Sequence, residues 1–124
     1  MIWTRRTWMT LAAAGGFLAV CFGAFAAHGV TDPKARDWLH TGSLYGFIHT
    51  FAVFACALMM ELGARKARFA PAFFLAGVLI FSGSLYAMAF GAPRWFGAIT
   101  PIGGLLFLAG WATLAWAARD VDRS

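Results

Sequence analysis

Four long apolar runs alternate with short clusters of charged and turn-forming residues along this chain, at about residues 7–27, 38–60, 69–90 and 99–118. Each has roughly the twenty residues that a helix rising 1.5 Å per residue needs to cross a ~30 Å hydrocarbon core. Lipid offers no partners for backbone N–H and C=O groups, so runs of this length are expected to satisfy them internally as α-helices. The pattern predicts an all-α membrane protein, one domain over residues 1–124, with four transmembrane helices in an antiparallel bundle.

The punctuation between the runs supports that division. Pro71 and Pro101 fall in the first turns of the third and fourth runs, where a missing N–H costs nothing. Only a few residues around Arg65, Lys66 and Arg68 separate runs two and three, which makes them an antiparallel hairpin. Asp32-Pro33 reads as an N-cap followed by proline at the first helical position, and predicts a short interfacial helix ahead of the second span. The first run imitates a signal peptide, with Arg5-Arg6 before it and Ala24-Phe25-Ala26 near its end. Its apolar stretch is longer than the about 7–15 residues of a signal core, so it is read as an uncleaved first helix. Arg5-Arg6 is read as a charge anchor rather than a twin-arginine address.

Composition agrees with this class, at 61% hydrophobic and 12% charged residues. A net charge of +5 could suggest nucleic acid, but the basic residues sit in small groups between apolar runs and form no single face. They set topology instead. Arg5, Arg6, Arg65, Lys66, Arg68, Arg119 and Arg123 lie on one side, against Lys34, Arg36 and Arg94 on the other. The excess of cations predicts that both termini are cytoplasmic. The expected location is the bacterial inner membrane, and the expected partners are the lipid bilayer and other membrane proteins or further copies of the chain, with no nucleic acid. Cys21 and Cys56 are about 15 Å apart in depth, too far for a disulfide, and are expected to pack.

Small residues recur at helical spacing. Gly15, Ala19, Gly23 and Ala27 share one face of the first helix; Gly42 and Gly46 share a face of the second. Gly83, Ala87 and Gly91 repeat the spacing in the third, where Gly77, Ser84 and Gly91 also fall seven apart, and Gly103 and Gly110 are one heptad apart in the fourth. Such stripes let helix backbones approach closely, which replaces the hydrophobic drive that lipid cannot supply. Gly83 is expected to be such a contact.

Polar residues within the runs converge by depth on one half of the bundle. His28 closes the first span; Tyr45 and His49 lie four apart on the second; Ser82, Ser84 and Tyr86 occupy matching depth on the third; Thr100 opens the fourth. A cluster spanning all four helices is expected, with Ser84 facing the second helix. His49 falls near the midplane, where an ionisable side chain is a candidate functional group. Trp111 and Trp116 are expected to pack or to anchor an interface.

These residues also carry a resemblance. The segments Gly23-Ala24-Phe25-Ala26-Ala27-His28-Gly29, Tyr45 with His49, Phe81-Ser82-Gly83-Ser84-Leu85-Tyr86, and Thr100-Pro101-Ile102-Gly103-Gly104 followed by Gly110-Trp111 resemble the small membrane proteins of the family called domain of unknown function 423, akin to the eukaryotic transmembrane-protein-256 group. Ala26 and Val30 depart from the glycine and leucine usual there. The resemblance implies an inner-membrane protein with no established activity, and it supplies no catalytic residues.

Three function classes follow. The first is a structural or accessory component that packs against other membrane proteins. The second is a small transporter, or a proton- or solute-binding protein, using a polar cluster around His49 with Tyr45 and Ser84. An enzyme is the weakest, because Asp32, Asp37, Glu61, Asp120 and Asp122 all lie outside the apolar interior, so no nucleophile, base and orienting acid come together. The expectation is therefore no enzyme and no cofactor. His28, His40 and His49 differ too much in depth for one compact metal site.

Overall fold

In the computed structural model, which describes residues 4–123, four long helices carry the chain: α1 (Arg5–His28), α2 (Pro33–Glu61), α3 (Ala70–Ala89) and α4 (Thr100–Ala118). All four are long and apolar enough to cross a membrane. Short 3-10 turns over Arg65–Phe69 and Arg94–Ala98 lead into α3 and α4. The proline of each following helix sits in its first turn.

The start of α2 differs from the sequence expectation. Asp32 caps it through its side chain, which accepts from the Ala35 N–H at 3.3 Å, and Pro33 is the first helical residue. No separate interfacial helix follows. The helix runs unbroken for 29 residues, about 44 Å, because nothing between Ala35 and Leu39 breaks the backbone pattern. Its first turns therefore stand in the headgroup layer, above the ~30 Å core.

Two glycines make the sharp turns. Gly63 and Gly91 adopt φ of +98° and +106°, the left-handed region that side chains resist. Each closes a helix in the same way. The Gly63 N–H bonds the Met60 carbonyl and the Ala64 N–H the Met59 carbonyl, while Gly91 and Ala92 bond the carbonyls of Met88 and Ala87. This is the Schellman arrangement. Gly91 is thus a helix cap rather than the packing residue its heptad spacing suggested.

Helices adjacent in sequence pack side by side, α1 on α2, α2 on α3 and α3 on α4, and among the described residues α1 does not touch α4. The bundle is a folded row rather than a closed square. Its driest packing lies toward the end that carries both termini, where Val53, Cys56, Ala64, Ala67, Ala70 and Phe74 are completely enclosed. Cys21, by contrast, is exposed on α1, so only Cys56 of the two cysteines packs in the interior.

The α3–α4 crossing is the closest. A Cβ placed on Gly103 would stand 2.5 Å from the Phe81 backbone nitrogen and 2.9 Å from the Gly77 carbonyl oxygen, so backbone meets backbone there. Rings cover the neighbouring glycines, Phe107 over Gly77 and Phe74 over Gly110, each at 2.6 Å or less from the missing Cβ. At the α1–α2 crossing the neighbours are side chains: Thr50 against Gly15 and Ser43 against Gly23, with Ala19 buried and Gly46 between it and Ser82. Gly42 receives the ring of Tyr86.

Three further members of the small stripes do not pack as expected. Gly83 has nothing within 4 Å of the position its Cβ would take, because it turns toward an open groove lined by Leu18, Phe22 and Leu79. Ala27 is exposed; Ala26, one residue earlier, is the buried one, because α1 meets α2 along Ala12, Ala19 and Ala26 at heptad spacing. Ala87 is only half-buried.

Candidate functional site

The interior polar groups form separate contacts rather than one cluster. His49, on α2, is 5% exposed and has both ring nitrogens bonded. Its Nδ1 lies 2.7 Å from the Tyr45 carbonyl oxygen one turn earlier, and its Nε2 lies 3.0 Å from the indole Nε1 of Trp111 on α4. These partners fix the tautomer. An indole N–H can only donate and a carbonyl can only accept, so Nδ1 carries the proton and Nε2 accepts. The imidazole is neutral, and no lone pair remains for another proton or a metal.

Aromatic rings close the rest of the surround. Phe107 stacks on the imidazole with centroids 3.6 Å apart and planes within 7°. Phe74 and Trp111 approach it at 5.8 Å each, tilted and edge-on. Phe107 and Phe74 reach these places because Gly77 and Gly110 leave room for them, so the glycines of the α3–α4 crossing also build the pocket around His49.

A second contact joins α2 and α3. Ser82 donates to the Gly42 carbonyl at 2.7 Å, and the Tyr86 hydroxyl meets Ser43 at 3.1 Å. Tyr86 also stacks on Phe22 of α1, with centroids 4.2 Å apart. A third joins α3 to the start of α4. Ser84 lies 2.5 Å from the Thr100 hydroxyl and bonds its own Phe81 carbonyl at 3.0 Å.

The structure therefore reverses the expected roles of the two serines: Ser82 faces α2 and Ser84 faces α4. A helix turns 100° per residue, so two positions apart the side chains diverge by about 200°. Tyr45 contributes its carbonyl to His49, while its ring packs on Phe81 at 4.9 Å. His28 is exposed at the end of α1, away from the other polar groups. Three residues outside the expected set matter here. Ser43, Trp111 and Phe107 each need a partner four helical turns or more away in sequence, which periodicity within one run does not show. Among the described residues no group of three His, Cys, Asp or Glu side chains is placed to hold a metal ion.

The family model described as protein of unknown function DUF423 matches residues 22–104, more than half of the chain. The chain belongs to the DUF423 family. It is similar to a UPF0382 membrane protein of Haemophilus influenzae, 47% identical over 115 residues that cover 90% of this chain and 93% of the relative. The UPF0382 inner membrane protein YgdD of Escherichia coli strain K12 is 37% identical over 124 residues, covering 97% and 95%. The UPF0382 membrane protein YwdK of Bacillus subtilis is 34% identical over 119 residues, covering 91% and 96%. No solved structure matches. This DUF423 chain is thus a small multi-pass protein of the bacterial inner membrane, and none of these relatives' names states an activity. The match spans Ser43, His49, Ser82, Ser84, Tyr86 and Thr100, but Trp111 lies beyond it.

Proposed function

We propose that this protein is a structural component of the inner membrane, a packed helical platform for other membrane proteins, and neither an enzyme nor a transporter. The observation that carries the reading is the state of His49. A proton relay needs a nitrogen that can gain and lose a proton toward water or an acid. Here Nδ1 gives its proton to a helix carbonyl, Nε2 takes one from an indole, and three rings cover the remaining surface. That is the surround of a side chain fastening α2 to α4. The contacts of Ser82 with the Gly42 carbonyl, Ser43 with Tyr86 and Ser84 with Thr100 likewise join neighbouring helices, at roughly 0.6 kcal/mol each in a membrane interior.

Gentle extraction of the native protein, with identification of co-purifying proteins, tests this directly. A partner recovered reproducibly, and still recovered with His49→Gln, is the expected result. The transporter reading requires instead a solute flux or proton leak in proteoliposomes that His49→Ala abolishes, and that outcome would overturn the proposal.

A further inference from the structure

One side of the α1–α2 pair carries two hollows. The first, of about 320 Å³, lies where the charge asymmetry places the outer surface, between Gly23, Ala26 and Ala27 of α1 and Arg36, Asp37 and His40 of α2. The second, of about 540 Å³, is almost wholly apolar and lies deeper, between α1 residues such as Ala13, Phe17 and Val20 and α2 residues such as Phe47, Phe51 and Phe54. Both volumes are of the size that holds a small-molecule ligand.

The two hollows belong to one crease. Ala13, Val20 and Ala27 repeat every seven residues on α1, and His40, Phe47 and Phe54 do so on α2. Positions a heptad apart stay on one stripe of a helix. Gly23 in the upper hollow and Cys21 in the lower are two residues apart, a rise of about 3 Å. The crease is therefore polar at its mouth and apolar below.

The mouth is charged in a specific way. Arg36 and Asp37 are neighbours that both line it, one cation and one anion, and His40 stands one turn deeper. All three are exposed, and among the described residues none has an intrachain ion pair or side-chain hydrogen bond. A guanidinium matches a phosphate group in bidentate fashion, and a carboxylate matches an ammonium. One leaflet is half of the ~30 Å core, or about ten residues of rise, which carries from Ala27 at the mouth down to Phe17 in the trough.

We propose that this crease is a binding site for one zwitterionic glycerophospholipid of the outer leaflet, bearing a phosphate and a primary ammonium. Arg36 holds the phosphate, Asp37 the ammonium, and His40 faces the glycerol region. An acyl chain lies along α1 from Ala27 past Val20 to Phe17, against Phe47 and Phe51 of α2. Independent of any protein partner, this site makes a lipid part of the α1–α2 packing.

The test is native mass spectrometry of the full chain released from nanodiscs made of equal parts phosphatidylethanolamine and phosphatidylglycerol. The wild type should retain one phosphatidylethanolamine in preference to phosphatidylglycerol. Asp37→Asn should lower that retention about five-fold while leaving phosphatidylglycerol unchanged, the weight of one interfacial charge contact. Arg36→Gln should lower both lipids, and Ala27→Trp should block retention by filling the mouth. All three positions are exposed, so thermal unfolding midpoints should match the wild type. Retention in bulk proportion by both the wild type and Asp37→Asn would overturn the proposal. So would a preference for phosphatidylglycerol, or a lipid-free species of two chains, which would make a second copy the occupant.

Discussion

The two outer crossings of the row are built on opposite plans. Where α3 meets α4, Gly103 sets backbone against backbone and aromatic rings seal the flanks over Gly77 and Gly110. Where α1 meets α2, the contacts of Gly15, Gly16 and Gly23 are with side chains, and hollows open along one side. The first plan yields a fixed angle with little tolerance. The second leaves α1 the most lightly enclosed of the four spans, with large apolar side chains such as Phe17 and Val20 turned outward. Rigidity thus lies in α2, α3 and α4, and adaptability in α1.

The largest effect should come from forcing the rigid crossing open. Gly103→Leu places a side chain where the Phe81 nitrogen and the Gly77 carbonyl already stand, and no rotamer change can relieve a clash with backbone. A loss of about 3 kcal/mol or more is expected, read as aggregation or loss of the monodisperse peak on size exclusion in mild detergent. Gly23→Ala at the other crossing meets only Ser43, at ordinary contact distance. Its effect should stay within about 1 kcal/mol and can be stabilising, since alanine restricts the unfolded chain more than glycine does. Equal loss in both variants would erase the contrast.

Gly83→Leu sharpens the same point from a position that sequence spacing treats as equivalent. With nothing within 4 Å of its Cβ position and an open groove beyond, it should change the free energy of unfolding by no more than about 0.5 kcal/mol. Gly83 shows where the sequence was readable and where it was not. Run lengths, turn residues and the helical class depend on local composition, and these were legible; the N-cap at Asp32 is an example. Which small residue meets which neighbour depends on the rotation of each helix about its axis. In lipid that rotation leaves almost no trace, because Leu79 facing hydrocarbon and Leu85 facing protein look alike in sequence. The same blindness hid Trp111. An indole about three turns into α4 reads as one more apolar residue until its N–H is found pointing at His49.

An intermediate effect is expected from that bond. Trp111→Phe keeps a ring against Phe74, at present 5.1 Å away, but removes the donor to Nε2. The imidazole is then left with a buried, unpaired acceptor. Interhelical hydrogen bonds in membranes average about 0.6 kcal/mol and reach about 1.7, so a loss within that range is expected in thermal unfolding. His49→Leu in the same background should then add less than it does in the wild type, because the two residues share one bond. Additive losses would mean that the bond contributes nothing to holding α4.

The smallest effect lies at the rim of the rigid unit, and it depends on pH. Asp120 follows the last turn of α4; Lys66, in the link between α2 and α3, reaches it at 3.3 Å, and Arg123 at 3.1 Å. The hydrogen bond from Lys66 holds the Asp120 carboxyl below its ordinary value, with a further contribution from Arg123. A carboxyl lowered in the folded state contributes stability that is complete above the ordinary value near pH ~4 and is lost as pH falls through the lowered one. Because the pair faces water, salt should weaken it, as it should the exposed Arg5–Glu61 pair that joins α1 to α2. The tail is also held by the Asp122 N–H on the Leu62 carbonyl at 2.9 Å. Protection of that amide from hydrogen exchange should therefore fall below pH ~4, after correction for intrinsic exchange rates, while Asp120→Asn should show reduced protection already at neutral pH and no further step. A step of equal size in Asp120→Asn would place the titrating group elsewhere, and the link between α4 and the α2–α3 turn would then rest on the Asp122 backbone bond alone.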